Sequence, residues 1–286
     1  MAVPRVLIAG CGDIGSRLAV QLLPHQWTVY GLRRSTGKLP SGVVGVSADL
    51  FDARMPEQWP DGQIDYLVYC ATPAERDEAG YRAAYVEGLR HVLDWTQRSG
   101  QRPKRLIFVS SSSVYGQQQG EWVDETSPTQ ASGFSGEVML EAEQVALHSG
   151  FPASVIRLTG IYGPGRSDLM NRVRQGYSVA VDPPLYGNRI HADDAAGLLA
   201  FLLQADAQGV PLQECYIGVD DAPDPLADVV DWMRQRLGVT QWSEESSIRR
   251  AGSKRCSNAR AKALGWTPRY PSYREGYEAM LAEQAV

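Results

Sequence analysis

The stretch that most constrains this chain lies within its first two dozen residues. Val6, Leu7, Ile8 and Ala9 form a short apolar run, and Gly10-Cys11-Gly12-Asp13-Ile14-Gly15 follows at once as a G-x-G-x-x-G. The spacing then turns helical over 16–23, with Ile14, Leu18 and Leu22 on one face and Pro24 as the stop. Strand, glycine turn and helix in that order are the setting in which this motif binds a dinucleotide. Gly10 permits the sharp turn, Gly12 removes the side chain that would block a pyrophosphate, and Gly15 lets the helix lie close to the strand. The helix N-terminus offers unpaired N–H groups and a partial positive charge to phosphates. Asp13 and Ile14, at that N-terminus, are counted with the glycines as cofactor-binding candidates. The bland alternative is a surface turn, and the flanking strand and helix argue against it.

The next elements extend the same pattern. A second strand over 27–32 leads into Arg33-Arg34-Ser35. In the NAD-binding form of such a unit an acidic residue here bonds the ribose 2′-OH. Two arginines, with their fixed donor forks, instead suit a 2′-phosphate, so NADP(H) is expected over NAD(H). The competing reading leaves both arginines solvating a loop end. A third strand over 43–46 leads to Asp49, an acceptor for an adenine amino group. The fourth, over 64–70, ends in Ala71-Thr72-Pro73, where the chain would pass the cofactor. A helix over 80–98 has apolar spacing at Tyr85, Val86, Leu89, Val92 and Leu93, and a fifth strand over 106–109 runs into Ser110-Ser111-Ser112-Ser113-Val114-Tyr115-Gly116. Strands alternating with helical stretches predict an α/β fold, a Rossmann-type doubly wound parallel sheet with right-handed crossovers.

Bulk properties exclude other classes. A net charge of −5 argues against a nucleic-acid partner, which needs a basic surface. Apolar runs such as 198–203 are far too short to span a bilayer, and the first apolar run leads directly into a glycine turn and so does not read as a signal peptide; a cytoplasmic protein is expected. Cys11, Cys70, Cys215 and Cys256 are scattered without C-x-x-C spacing, which reads as free thiols; no metal site is expected.

At this point the chain resembles the extended short-chain dehydrogenase/reductases, the NAD-dependent epimerase/dehydratase family, along nearly its whole length. The resemblance rests on GCGDIG, SSSSVYG, DETSP at 124–128, RLTGIYGPG at 157–165, RIHADDAA at 189–196 and ARAKALGWTP at 259–268. It implies a substrate-oxygen contact at Ser111 and places Ser112, Tyr162 and Arg166 near substrate. It also implies a Tyr-x-x-x-Lys pair about two dozen residues after the serines. There the Tyr is the general acid/base and the Lys lowers its pKa from about 10 while holding the nicotinamide ribose.

This sequence departs from that pair. Aligning the family's helix Glu with Glu143 puts Ser135 at the Tyr position and Met139 at the Lys position; using Glu141 gives Gly133 and Glu137. No lysine occurs between Lys104 and Lys254. Losing a positioned acid/base group costs roughly 10²–10⁴ in rate. Tyr115 and Tyr162, in loops that the resemblance places near the cofactor, are the stand-in candidates, although both are also typical packing residues; Ser135, Glu137 and Asp124 are weaker. His191 reads as structural. Gly187 stands where sugar-nucleotide members place an arginine, with Arg189 two residues late; Arg166, Arg172, Arg174, Arg249 and Arg250 offer an alternative anion pocket. Tyr85 replaces a common Asn.

The expected organisation is a dinucleotide-binding domain over 1–165 and a smaller C-terminal substrate or lid domain over 166–286, with 188–218 returning to the sheet. Helices flanking the sheet allow a homodimer by analogy. The leading functional expectation is a reductase, epimerase or dehydratase acting on a small polar substrate, sugar nucleotides included. The alternative is a dinucleotide-binding sensor or scaffold without turnover.

Overall fold

The computed structural model describes residues 3–243 and 252–284. In chain order the first elements are β1 (Arg5–Ala9), α1 (Asp13–Leu22), β2 (Thr28–Arg33), β3 (Val44–Ser47), β4 (Tyr66–Tyr69), α2 (Glu78–Arg82), α3 (Gly88–Arg98) and β5 (Arg105–Ser111). Next come β6 (Glu121–Val123), α4 (Phe134–Leu147), β7 (Ala153–Leu158), β8 (Gly160–Tyr162), α5 (Asp168–Arg174), β9 (Arg189–His191) and α6 (Ala192–Ala207). The chain closes with β10 (Cys215–Gly218), α7 (Leu226–Leu237), β11 (Lys254–Cys256), α8 (Ala259–Leu264) and α9 (Tyr273–Gln284).

Among the described residues the main sheet is a parallel one of seven strands in the order β10-β7-β5-β4-β1-β2-β3. The order reverses between β1 and β4, the crevice where doubly wound sheets take ligands. Its inner strands are buried on both faces, as helix-covered parallel sheets require: every residue of β4 and β7 is buried, whereas the edge strand β3 is largely exposed. Helix α1 turns Ile14, Leu18, Ala19 and Leu22 to the sheet, matching the apolar spacing of the sequence.

The chain divides into two compact units that interleave along the sequence. One comprises the chain up to Val114 with Ala131–Arg157 and Ala196–Tyr216; the other comprises Tyr115–Gln130, Leu158–Ala195 and the chain from Ile217 on. The second unit has its own core, with Tyr162, Met170, Val173, Val229, Met233 and Tyr277 buried together. It also contains two small parallel pairs, β6 with β11 and β8 with β9.

One element differs from the expectation. The helix anticipated over 80–98 is α2 and α3 joined by a π-helical turn, Ala83–Glu87. A π-turn displaces a backbone carbonyl from its regular partner, and the buried hydroxyl of Tyr69 donates to the carbonyl of Ala84 there. Gly88 makes room for that phenol: a Cβ at 88 would lie 2.5 Å from the Tyr69 oxygen.

A buried charge network ties β5, α4 and β7 together in the first unit. Glu143, 2% exposed, accepts two bonds from Arg157 (Nε 2.9 Å, Nη2 2.7 Å) and one from the Ser110 hydroxyl at 2.6 Å. Removing one partner of such a pair strands the other charge in the interior. Glu143→Gln is therefore expected to destabilise the protein by about 3–5 kcal/mol in urea unfolding, with Glu143→Gln/Arg157→Met recovering much of the loss.

Candidate functional site

A cleft of about 410 Å³ opens at the carboxyl ends of β1, β2, β3 and β4, a size typical of small-molecule sites. Its floor is the glycine turn. Gly10 has φ +79°, and a Cβ there would lie 2.4 Å from Cα and N of Ala71. The amides of Gly10 and Cys11 both donate to the carbonyl of Leu32, at 3.1 and 3.0 Å, which ties the turn to the end of β2. Gly15 sits against Ile8, where a Cβ would meet Cγ2 at 2.9 Å, so helix and strand approach closely.

Gly12 differs from its two neighbours. A Cβ there would have no neighbour nearer than 3.8 Å, so the space in front of this residue is open. As the N-cap of α1, Gly12 also supplies no side-chain oxygen to the first-turn N–H groups. Open space and uncapped donors in front of a helix N-terminus are what an incoming phosphate uses. The Asp13 carboxylate is bonded to Arg17 at 2.8 Å and Ile14 is buried, so what these two residues present to a phosphate is backbone.

Arg33 and Arg34 both line the cleft, as do Asp49, Ala71 and Thr72. Nη1 of Arg33 donates to the carbonyl of Cys11 at 3.2 Å, which draws its guanidinium over the turn, and Arg34 is exposed. A third cation, Lys38, lines the same wall from the short 3₁₀ turn Thr36–Lys38. The sequence reading missed it, although a lysine five residues beyond Arg33 in a tight turn was the available signal.

The remaining candidates lie as follows. Within the first unit, Ser111, Ser112 and Ser135 are half-buried, and the Ser111 hydroxyl accepts from the amide of Ser113 at 3.1 Å. Met139 is 2% exposed on α4, and Glu137 is exposed. Within the second unit, Tyr115 is 2% exposed and its hydroxyl donates to the carbonyl of Asp124 at 2.8 Å. Tyr162 is 4% exposed, donates to the carbonyl of Ser272, and packs against His191 and Tyr277. The Asp124 carboxylate accepts from Thr126 and Ser127 and closes a turn. Arg166 is half-buried, Arg172 lies 3.7 Å from the Tyr177 ring centre, and Arg174 bonds Asn171. Arg249 and Arg250 lie outside the described residues. Arg189 is 5% exposed and folds back, its Nη2 sitting 2.6 Å from where a Cβ of Gly187 would be. Gly187 thus leaves the room that the head of Arg189 occupies.

The sequence model of the NAD dependent epimerase/dehydratase family matches residues 6–218. The chain belongs to that family. It is similar to protein YeeZ of Escherichia coli K12, 31% identical over 213 residues that cover 72% of this chain and 75% of that protein. It is also similar to a 3-diazoavenalumate denitrifying reductase of a Streptomyces species, 26% identical, with 95% of this chain and 98% of that one covered. A candidate NAD-dependent epimerase/dehydratase of Methylobacillus flagellatus has a solved structure of TM-score 0.81 and 35% identity, with 100% of both chains covered. The cofactor that the family's description carries is NAD, and the cleft at the glycine turn fits a dinucleotide in the three respects just described: room at Gly12, uncapped donors on α1 and a cationic wall. Among the described residues there is no helix long and apolar enough to cross a membrane, no group of three metal-ligating side chains, and no disulfide.

In the second unit one acid is set apart from all of this. Asp220 is 2% exposed; Oδ1 accepts from the amide of Ala222, and Oδ2 has no hydrogen-bond partner among the described residues. Burial pushes its carboxyl up to about 7, against the pull of Arg189, and Asp221 and Asp224 push it further. The native state thus holds a proton that the unfolded chain releases above about pH 4, and stability falls as pH rises from there to about 7. Asp220→Asn should remove that slope. Relative to wild type, the variant should gain stability by a few kcal/mol at pH 8 and little at pH 4, read from denaturant melts at both.

Proposed function

We propose that this chain is a cytoplasmic oxidoreductase or epimerase/dehydratase that uses NADP(H) in preference to NAD(H) and acts on a small polar substrate, sugar nucleotides being the first class to try. The observation that carries the cofactor preference is the cleft wall of Arg33, Arg34 and Lys38, where the sequence of β2 and its exit offers no carboxylate. A 2′-phosphate adds close to two negative charges and three acceptors, and guanidinium forks bind such groups in pairs. When bound, the nicotinamide supplies the hydride acceptor or donor; the protein's own residues position, exclude water and handle protons.

In this reading Ser111 holds the substrate oxygen, with Ser112 beside it in sequence. Ser135 stands at the position of the family's acid/base tyrosine and Met139 at that of its lysine. A serine hydroxyl with no cation beside it is a poor proton donor at neutral pH, so the proton comes through water or from a group of the substrate itself. The burial of Tyr115 and Tyr162, with both hydroxyls engaged, favours packing over chemistry for these two. Arg166, half-buried at the mouth of the 163–166 turn, is kept as an anion contact.

The second reading, a dinucleotide-responsive sensor or scaffold, rests on a specific observation. The lysine position is filled by a core methionine, and no lysine occurs from 105 to 253. Steady-state turnover excludes this reading; a partner affinity that changes between NADP⁺ and NADPH supports it.

The test pairs binding with turnover. Arg34→Ala should weaken NADPH binding about tenfold, the worth of one charge-assisted contact, and leave NADH binding within about twofold. An equal loss for both cofactors would contradict the 2′-phosphate assignment. Consumption of NADPH with a carbonyl or sugar-nucleotide panel should be measurable in wild type. Ser135→Tyr/Met139→Lys then separates a vestigial site, which gains rate, from a rebuilt one, which loses it.

A further inference from the structure

One wall of the dinucleotide cleft is built from Ala48, Asp49, Leu50 and Phe51. These residues leave β3, a short strand at the edge of the sheet, and the chain over 48–65 then runs without helix or strand. The Ala48 amide donates to the carbonyl of Arg33 at 3.3 Å, and beyond it the stretch turns on itself. The Asp49 carboxylate accepts from the amide of Phe51 at 3.1 Å, and its carbonyl accepts from the amide of Asp52 at 3.1 Å. Such local bonds shape a loop, but its remaining carbonyls need donors from elsewhere.

Those donors come from α3 and the chain just after it. Nδ1 of His91 lies 2.7 Å from the carbonyl oxygen of Leu50; a carbonyl only accepts, so this nitrogen carries the proton. One turn on, Nε1 of Trp95 donates to the carbonyl of Ala53 at 3.0 Å. Past the helix, Nε2 of Gln101 donates to the carbonyls of Pro60 and Gly62, at 2.8 and 2.6 Å. The loop is thus stitched along the helix, each later carbonyl meeting a later donor. Where α3 starts, the approach is close: a Cβ at Gly88 would lie 3.3 Å from the Cβ of Leu50.

His91 differs from the other two donors. Trp95 and Gln101 are buried, and the carbonyls they hold belong to residues away from the cleft. His91 is half-buried, and the carbonyl it holds belongs to a residue of the cleft wall. On either side of Leu50 stand the two residues that give the wall its chemistry. Asp49 offers a carboxylate, and Phe51, 44% exposed, offers an apolar ring.

We propose that His91 is a positioning residue for the adenosine half of the cofactor. By fixing the Leu50 carbonyl it holds Asp49 and Phe51 where an adenine amino group and ring face meet them. The inference rests on the dinucleotide reading of the cleft and gives α3 a share in cofactor affinity. A wall already in its binding conformation loses little freedom on association. A wall in place only part of the time lowers the apparent affinity by that fraction.

The test titrates NADPH and 2′,5′-ADP, which is the adenosine half alone, into the full chain by calorimetry, with thermal melts alongside. The proteins are wild type, His91→Leu, which lacks the donor, and His91→Asn, whose amide nitrogen stands where Nδ1 stands. His91→Leu should weaken NADPH and 2′,5′-ADP by the same factor, about tenfold. His91→Asn should bind both within about twofold of wild type. A bond that served the fold alone would lower the melting temperature and leave the affinity of the folded protein unchanged. The inference is overturned if His91→Leu binds both ligands as wild type does. It is equally overturned if His91→Asn loses as much as His91→Leu, or if NADPH is weakened and 2′,5′-ADP is not. Failure of wild type to bind either ligand would overturn the dinucleotide reading itself, and this inference with it.

Discussion

Between Gly10 and Ala71 the backbone of the turn after β1 passes so close to the chain leaving β4 that one methyl group would collide with it. This approach occurs at the point where the strand order reverses, and it fixes the width of the crevice there. The same turn is bonded on its other side to Leu32, at the end of β2. Three strand ends are thus held at one spot by a residue without a side chain, and the N-terminus of α1 is aimed across them. The positions of Arg33, Arg34 and Asp49 around the cleft follow from that arrangement.

The two units treat buried charge in opposite ways. In the first, Arg157 meets the Glu143 carboxylate with a bidentate pair and Ser110 adds a third bond. The interaction fixes the exit of β5, where the serine run begins, relative to α4, which carries Ser135 and Met139. In the second, Asp220 has one oxygen bonded and the other alone, and burial favours the neutral acid. The bidentate pair ties its elements together, whereas the half-bonded Asp220 makes stability a function of pH.

Much of the first unit was legible because its demands are local. The glycine turn is written in residue type, since only glycine accepts φ +79° beside Ala71, and α1 and β4 are written in their apolar spacing. What could not be read depends on distant partners. The π-turn at Ala83–Glu87 depends on the phenol of Tyr69, on another strand. The pairing of β6 with β11 joins Glu121 to Lys254, and three-residue strands leave no periodicity to detect. The reach of Arg189 back over Gly187 depends on side-chain direction, which the sequence does not carry. Lys38 is not legible from the strands, because the cleft wall also draws on the turn that follows β2.

Gly12 separates what the fold needs from what a ligand needs, because the protein leaves its Cβ direction open while a bound pyrophosphate would fill it. The most direct measurement is calorimetric titration of NADPH into wild type and into Gly12→Val, with thermal melts of both. The account predicts that wild type binds NADPH, that Gly12→Val stays folded with a loss of about 1–2 kcal/mol for its poorer N-cap, and that the variant no longer binds. Equal binding by the two proteins, or no binding by wild type, would contradict a dinucleotide site at the glycine turn.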